Sequence, residues 1–156
     1  MIKKIFFAIL YTVIVLPLTA QRVYNIQNFG AKGDGKTDDA IAIQKAIDAC
    51  SKTGGQVLVP EPFTFMASPF NLKSNIDFHV EAGAKVLANP NEKVYTKNAF
   101  RNNPGEGTIW IGGENINNLT ISGAGEINGN GISFMGAELE DSYVLKPFTI
   151  LDPRPH

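Results

Sequence analysis

Asn75-Ile76-Asp77-Phe78-His79-Val80-Glu81-Ala82-Gly83-Ala84 is the stretch whose reading decides the fold. Ile76, Phe78 and Val80 alternate with Asp77, His79 and Glu81, the period of a strand with one apolar and one polar face. A weaker copy follows at Asn118-Leu119-Thr120-Ile121-Ser122-Gly123-Ala124-Gly125. The offset reads as two coils of ~21 residues, within the range of stacked repeats. One coil cannot bury its apolar side alone, so its neighbours must stack on it.

Outward from this pair, short strand candidates lie between turns. They are Val23–Ile26, Val57–Val59, Phe63–Met66, Val86–Leu87, Ile109–Ile111 and the neighbourhood of Ile127. Asn75, Asn115, Asn117, Asn118, Asn128 and Asn130 suit the turns, because Asn tolerates left-handed backbone and bonds its own chain. Val94–Gly107 and Met135–Pro147, with Glu138, Glu140 and Asp141, read as loops. One helix is predicted, over Asp38–Lys52. Thr37 suits its N-cap, Asp38 and Asp39 place negative charge in its first turn, and Gly54-Gly55 ends it. Ala40, Ile43, Ile47 and Cys50 form its apolar stripe. Cys50 then reads as a small buried hydrophobe.

Residues 1–20 read as a secretory signal. Lys3 and Lys4 supply the positive end, Ile5–Leu16 the apolar run, and Pro17-Leu18-Thr19-Ala20 a cleavage region before Gln21. The alternative is a membrane anchor, but the run falls short of the ~20 residues that span a bilayer. The expectation is a secreted or periplasmic protein with no membrane attachment after cleavage, and a second part, 21–156, that is a single domain or a piece of one. Across the 156 residues the net charge is −1, which leaves no broad basic field for nucleic acid. With one cysteine no internal disulfide can form, so a large core or a long hydrogen-bonded ladder must supply stability.

Gly30–Thr37 matches G-x-x-x-x-G-K-[ST], the phosphate-binding loop, letter for letter. Asp34, Asp38 and Asp39 stand where phosphates would sit and would repel them. The short strands that follow lack the crossover helices of a nucleotide-binding sheet. Phe148–Asp152 is a poor second, metal-binding motif. The loop is therefore read as a tight turn, with its aspartates as caps and turn formers.

Tyr24–Asp39, Ala42–Ile47 and Gly54–Pro60 together resemble the opening of the pectin-lyase-like β-helix superfamily. Leu72–Ile76, Glu81–Ala84 and Gly123–Gly131 resemble, more narrowly, glycoside hydrolase family 28, the polygalacturonases. Arg154-Pro155-His156 looks like the start of that family's next strand. The resemblance implies an all-β, right-handed parallel β-helix (a solenoid), incomplete here, with an N-terminal capping α-helix plugging its open end. It implies inverting hydrolysis of pectin- or galacturonan-type polysaccharide by a cluster of aspartates. The family's Asn-x-Asp, Asp-Asp, Gly-His-Gly and Arg-Ile-Lys motifs belong to later coils. Asp38-Asp39 lies in the helix cap, and neither His79 nor His156 stands in Gly-His-Gly. The expectation is thus an N-terminal portion with no catalytic, cofactor-binding or metal residue, no cofactor, and a polysaccharide as partner.

Asp77 and Glu81, on one strand face, would stand about 13 Å apart, too far for the ~6.5–9.5 Å of an inverting pair. They read with His79 as an outward polar face. Trp110 reads as packed, with stacking on a sugar as the alternative. Asn118-Leu119-Thr120 is a formal glycosylation sequon, but in a predicted strand. A β-helix lyase or epimerase using calcium and a basic residue, and a non-enzymatic glycan-binding β-helix, stay open as rival functions. No capping helix is visible after Gly131, where Pro147, Pro153 and Pro155 interrupt the tail. Alone, the chain is expected to be inactive and to aggregate.

Overall fold

Gly55–Val59 and Ile76–Val80 run side by side in parallel, with Gly55 opposite Ile76 and Val59 opposite Val80. They form the middle of a stack in a computed structural model that describes residues 21–96, 109–139 and 142–147. In chain order the elements are β1 (Val23–Asn25), a 3-10 turn (Ile26–Phe29), β2 (Asp34–Asp38), α1 (Ala40–Cys50) and β3 (Gly55–Val59). Next come β4 (Thr64–Ala67), β5 (Phe70–Asn71), β6 (Ile76–Val80), β7 (Lys85–Ala88), a second 3-10 turn (Glu92–Val94) and β8 (Ile111–Gly112). The series ends with β9 (Leu119–Gly123), β10 (Glu126–Asn128), a third 3-10 turn (Gly131–Phe134), β11 (Met135–Leu139) and β12 (Ser142–Pro147). Strands β1-β3-β6-β9 form one parallel sheet, β2-β4-β7-β10 a second, and the short pair β5-β8 a third side. This is the right-handed parallel β-helix that the repeat and the resemblance predict.

The repeat is real, but its period differs from the expectation. Gln56 and Asp77, 21 residues apart, are neighbours on adjacent strands. Ile76 and Leu119 are also direct neighbours, and the turn asparagines 75 and 118, 43 residues apart, bond side chain to side chain. The longer offset is therefore one coil, not two of ~21 residues. The extra sequence lies between β7 and β8. A sequence repeat reports which segments sit in the same register, and says nothing of how much chain loops out between them.

Inward side chains stack as the strands do. Tyr24, Val57, Phe78 and Ile121 share one register position in the first sheet. Phe65, Val86 and Ile127 share another in the second. Val57, Phe65, Phe78 and Val86 are buried, whereas Ile121 is 54% and Ile127 39% exposed. At the opposite end α1 packs against β1, β3 and β5, and its stripe of Ala40, Ile43, Ile47 and Cys50 is buried as predicted.

The helix starts at Ala40 and ends at Cys50, inside the predicted Asp38–Lys52, and its N-cap is Asp39, not Thr37. Pairing across the stack overrides the local cap signals. Asp34–Lys36, read from sequence as the end of a glycine-rich loop, and Thr37 and Asp38, read as the start of the helix, together form β2 beside β4. The Thr37 hydroxyl instead donates to Asp34 at 2.8 Å. Met135–Pro147, also read as a loop, holds the antiparallel pair β11-β12. The predicted loop Val94–Gly107 falls largely outside the described residues, as do the signal-like segment 1–20 and Arg154-Pro155-His156.

Three aspartates fasten the first coil. Asp39 is 2% exposed, and its carboxylate accepts from the backbone N–H of Lys32 at 2.7 Å and Gly33 at 3.0 Å. Asp34 accepts from the N–H groups of Lys36 and Thr37, which with the Thr37 hydroxyl hold its pKa down at about 2. Asp38 accepts from Ala40 N–H, from both the N–H and the hydroxyl of Ser68, and from the Asn89 amide, so it joins three successive coils. Partial burial pushes its pKa up, and these hydrogen bonds outweigh that and bring it below the ordinary value. At the turns, Asn75, Asn115, Asn118 and Asn130 adopt the left-handed backbone expected of them.

Asp39→Ala leaves two backbone donors without their acceptor. At ~1–3 kcal/mol for each of the two stranded donors, the expected loss is roughly 2–6 kcal/mol in urea unfolding. A loss below ~0.5 kcal/mol contradicts the assigned role. Depressed carboxyl pKa values contribute stability above the unfolded value, and that stability drains as pH falls through the folded one. Stability should therefore decline between about pH 4 and pH 2, the interval from an ordinary Asp to the value held at Asp34. The Asp34→Asn/Asp38→Asn double variant should lose most of that decline; an unchanged acid limb would exclude these groups as its source.

Gly123 and Gly30 separate conformation from contact, since both have strongly positive φ, at +96° and +104°. A Cβ at Gly123 would meet the Val80 carbonyl oxygen at 2.0 Å, whereas one at Gly30 meets nothing within 4 Å. Gly123→Ala should destabilise the protein by at least ~1 kcal/mol more than Gly30→Ala. Equal losses in parallel thermal melts would show that the coils do not approach as described.

Candidate functional site

Alternation puts Gln56, Asp77, His79 and Ser122 on the outer side of the first sheet, where strand register joins them. Gln56 Nε2 donates to Asp77 at 2.9 Å, and the Ser122 hydroxyl donates to the other Asp77 oxygen at 2.6 Å. Ser122 Oγ also lies 2.7 Å from His79 Nδ1. Its single proton is committed to Asp77, so the oxygen accepts from Nδ1–H. A hydrolytic triad places the imidazole between serine and carboxylate; here the serine is in the middle and gives its proton to the acid. The arrangement therefore works as a polar rail over three strands. Glu81 does not join it, since its carboxylate accepts from Glu61 N–H at 3.0 Å. The predicted reading of Asp77, His79 and Glu81 as a polar face agrees with this geometry. The partners Gln56 and Ser122 were legible in principle, because Ser122 holds in the second copy the place that His79 holds in the first.

On the outer side of the second sheet Thr64, Lys85 and Glu126 lie in one row. Lys85 Nζ is 2.8 Å from Glu126, whose pKa that contact lowers, with a further bond from Asn128. Both side chains are well exposed, so the pair adds little stability, but it leaves a polar, open face.

A third feature is a cleft of about 210 Å³ beside the β5-β8 pair, lined by Ser68, Phe70, Asn71, Thr96, Ile109 and Trp110 among others. Trp110 is held firmly: its indole N–H donates to Ala67 O at 2.9 Å, and Phe70 N–H bonds its carbonyl at 3.0 Å. The two rings meet edge-on at 81° with centroids 6.4 Å apart. Trp110 is thus packed, as expected, and also lines a cleft. Nothing in the periodicity marked Phe70 or Ile109 as its companions.

The remaining sequence candidates take structural places. The amides of Gly30–Thr37 that a phosphate would need are taken by this chain's own carboxylates, at Lys32, Gly33, Lys36 and Thr37. Cys50 is fully buried, and burial raises its thiol pKa. Of the sequon, Leu119 and Thr120 lie in β9 as predicted, while Asn118 occupies the left-handed turn before it and donates its side-chain amide to Asn75 at 3.0 Å. Among the described residues no cluster of three or more His, Cys, Asp or Glu could hold a metal. Glu140, Asp141, Phe148–Asp152 and His156 lie outside the described residues.

Comparison with known proteins agrees with this architecture. The family described as rhamnogalacturonase A/epimerase, pectate lyase-like, matches residues 23–116. A probable polygalacturonase of Arabidopsis thaliana is 37% identical over 121 residues, 74% of this chain and 25% of that protein. An exo-poly-alpha-D-galacturonosidase of Dickeya chrysanthemi is 35% identical over 138 residues, 77% of this chain and 21% of that one. The chain thus spans about a quarter of the length of these relatives. Among solved structures, a family 28 exopolygalacturonase of Yersinia enterocolitica superposes with a TM-score of 0.60 at 34% identity, over 71% of this chain and 21% of that one. An exopolygalacturonase of Thermotoga maritima does so at 0.59 and 31%, over 69% and 25%. The chain belongs to the rhamnogalacturonase A/epimerase, pectate lyase-like family, and over the stretch compared it is polygalacturonase-like, with the β-helix of glycoside hydrolase family 28.

Proposed function

We propose that this chain is the N-terminal part of a secreted glycoside hydrolase that cleaves galacturonan-type polysaccharide by inversion. The observation that carries the reading is the in-register stack of coils beginning under α1, on a sequence 35–37% identical to galacturonan-cleaving enzymes by name. Four described carboxylates are committed to the scaffold: Asp34, Asp38 and Asp39 hold turns, and Asp77 holds the rail. In this reading the general acid and the water-activating carboxylates come from coils beyond the described ones, and these first coils provide a rigid base for them. The export reading rests on residues 1–20 alone.

A second reading has one observation in its favour. A 32-residue stretch is 72% identical to alginate lyase 7 of Azotobacter vinelandii. That stretch is 20% of the chain, and a lyase would leave an unsaturated product that absorbs in the ultraviolet.

One assay separates the readings. The 156-residue chain and a version extended through further coils are incubated with polygalacturonate, and reducing ends and ultraviolet absorbance are followed together. The expected result is reducing ends without absorbance from the extended protein, and neither from the 156-residue chain. Absorbance rising with cleavage supports the lyase, and cleavage by the shorter chain would show that the acid and base lie within it.

A further inference from the structure

We infer that the cleft beside Trp110 is an accessory site for one neutral sugar ring, separate from the outer face of the β2-β4-β7-β10 sheet. The inference rests on the polysaccharide-acting reading for the class of ligand, and on the cleft itself for everything else. At about 210 Å³ the cleft is smaller than the ~300–1,000 Å³ of sites for drug-sized ligands, a size for one monosaccharide unit.

The lining has the two parts that recognise a pyranose. Trp110, Phe70 and Ile109 supply an apolar wall, and Asn71 and Thr96 supply an amide and a hydroxyl beside it, while the Ser68 hydroxyl is held by Asp38 and Asn89. The C–H face of a sugar ring is apolar, with slightly positive hydrogens, and suits the negative face of an indole. Trp110 is fixed before any ligand arrives by its bonds to Ala67 and Phe70. Little side-chain entropy is left to lose on binding.

Charge selects the ligand. Among the described residues, none that lines the cleft carries one. The charge next to the wall is the Asp38 carboxylate, bonded to Ser68 and ionised at neutral pH, since its pKa lies below the ordinary value. Lys93 precedes the lining segment but is exposed and is not part of the wall. A uronate would meet a carboxylate with no cation in the described lining to offset it, whereas a neutral hexose would not. The cleft therefore fits a neutral residue of the polysaccharide, such as a side-branch sugar, and not the galacturonate that a galacturonan-cleaving centre must take.

Trp110 is the one tryptophan in the sequence, so its fluorescence reports on this site alone. D-Galactose and D-galacturonate, which differ only at C6, are titrated into the protein at neutral pH with selective tryptophan excitation. The expected result is a saturable emission change with galactose, half-complete in the millimolar range, and none with galacturonate. Asn71→Ala and Thr96→Val, both at exposed positions, should each raise the half-saturation concentration roughly two- to tenfold, the loss of one hydrogen bond. No response to galactose, an equal or stronger response to galacturonate, or a response that neither variant weakens would overturn the proposal. Cleavage of polygalacturonate is scored separately. Binding by this chain with no cleavage by the version extended through further coils leaves this site standing while the hydrolase reading falls, and cleavage by the extended version without binding does the reverse.

Discussion

The constraint that everything else follows is register between successive coils. Strands of the stack pair in parallel with the one a coil earlier, so residues that share a position stack in a column. Apolar columns such as Val57–Phe78–Ile121 form the core, and polar ones such as Gln56–Asp77–Thr120 and the His79–Ser122 pair carry the outer rail. A one-residue slip would exchange the two faces of a strand. The corners must therefore be firmly fixed. Asp38, Ser68 and Asn89 fix one of them with a carboxylate that reaches three coils; Asn75 and Asn118 fix another.

Such a scaffold separates support from chemistry. Several of its carboxylates are engaged by backbone donors, as at Asp39, or by neighbouring side chains, as at Asp77. Groups held this way make the rigid base that positioned catalysis requires. The open features are of another kind: the exposed Lys85–Glu126 row on one side and the Trp110 cleft on another.

The fold was largely legible because alternation and the α1 stripe are local signals. Ile76, Phe78 and Val80 announce a strand unaided, and Ala40, Ile43, Ile47 and Cys50 announce a helix face. Pairing information was harder to read. Asp34–Asp38 has the composition of a turn and becomes a strand only because β4 lies beside it. The 43-residue offset gave the right register and the wrong number of coils, since a loop of any length can leave the stack and return in register. The Trp110 cleft was the least legible feature. Its walls come from segments far apart in sequence, and only the short β5-β8 pairing brings Phe70 beside Trp110.

The most direct test of the stack is a crosslink between Lys85→Cys and Glu126→Cys, placed on the exposed outer face where the two residues are direct neighbours. Adjacent strands stand ~4.8 Å apart, within disulfide reach, whereas strands two coils apart stand at roughly twice that, beyond it. Cys50 is buried and stays as it is. Mild oxidation should give a quantitative intramolecular disulfide in the folded protein, read by mass spectrometry of the linked peptides. Free thiols after oxidation of a folded double variant would mean that a further coil lies between these strands, and the stacking described here would be wrong.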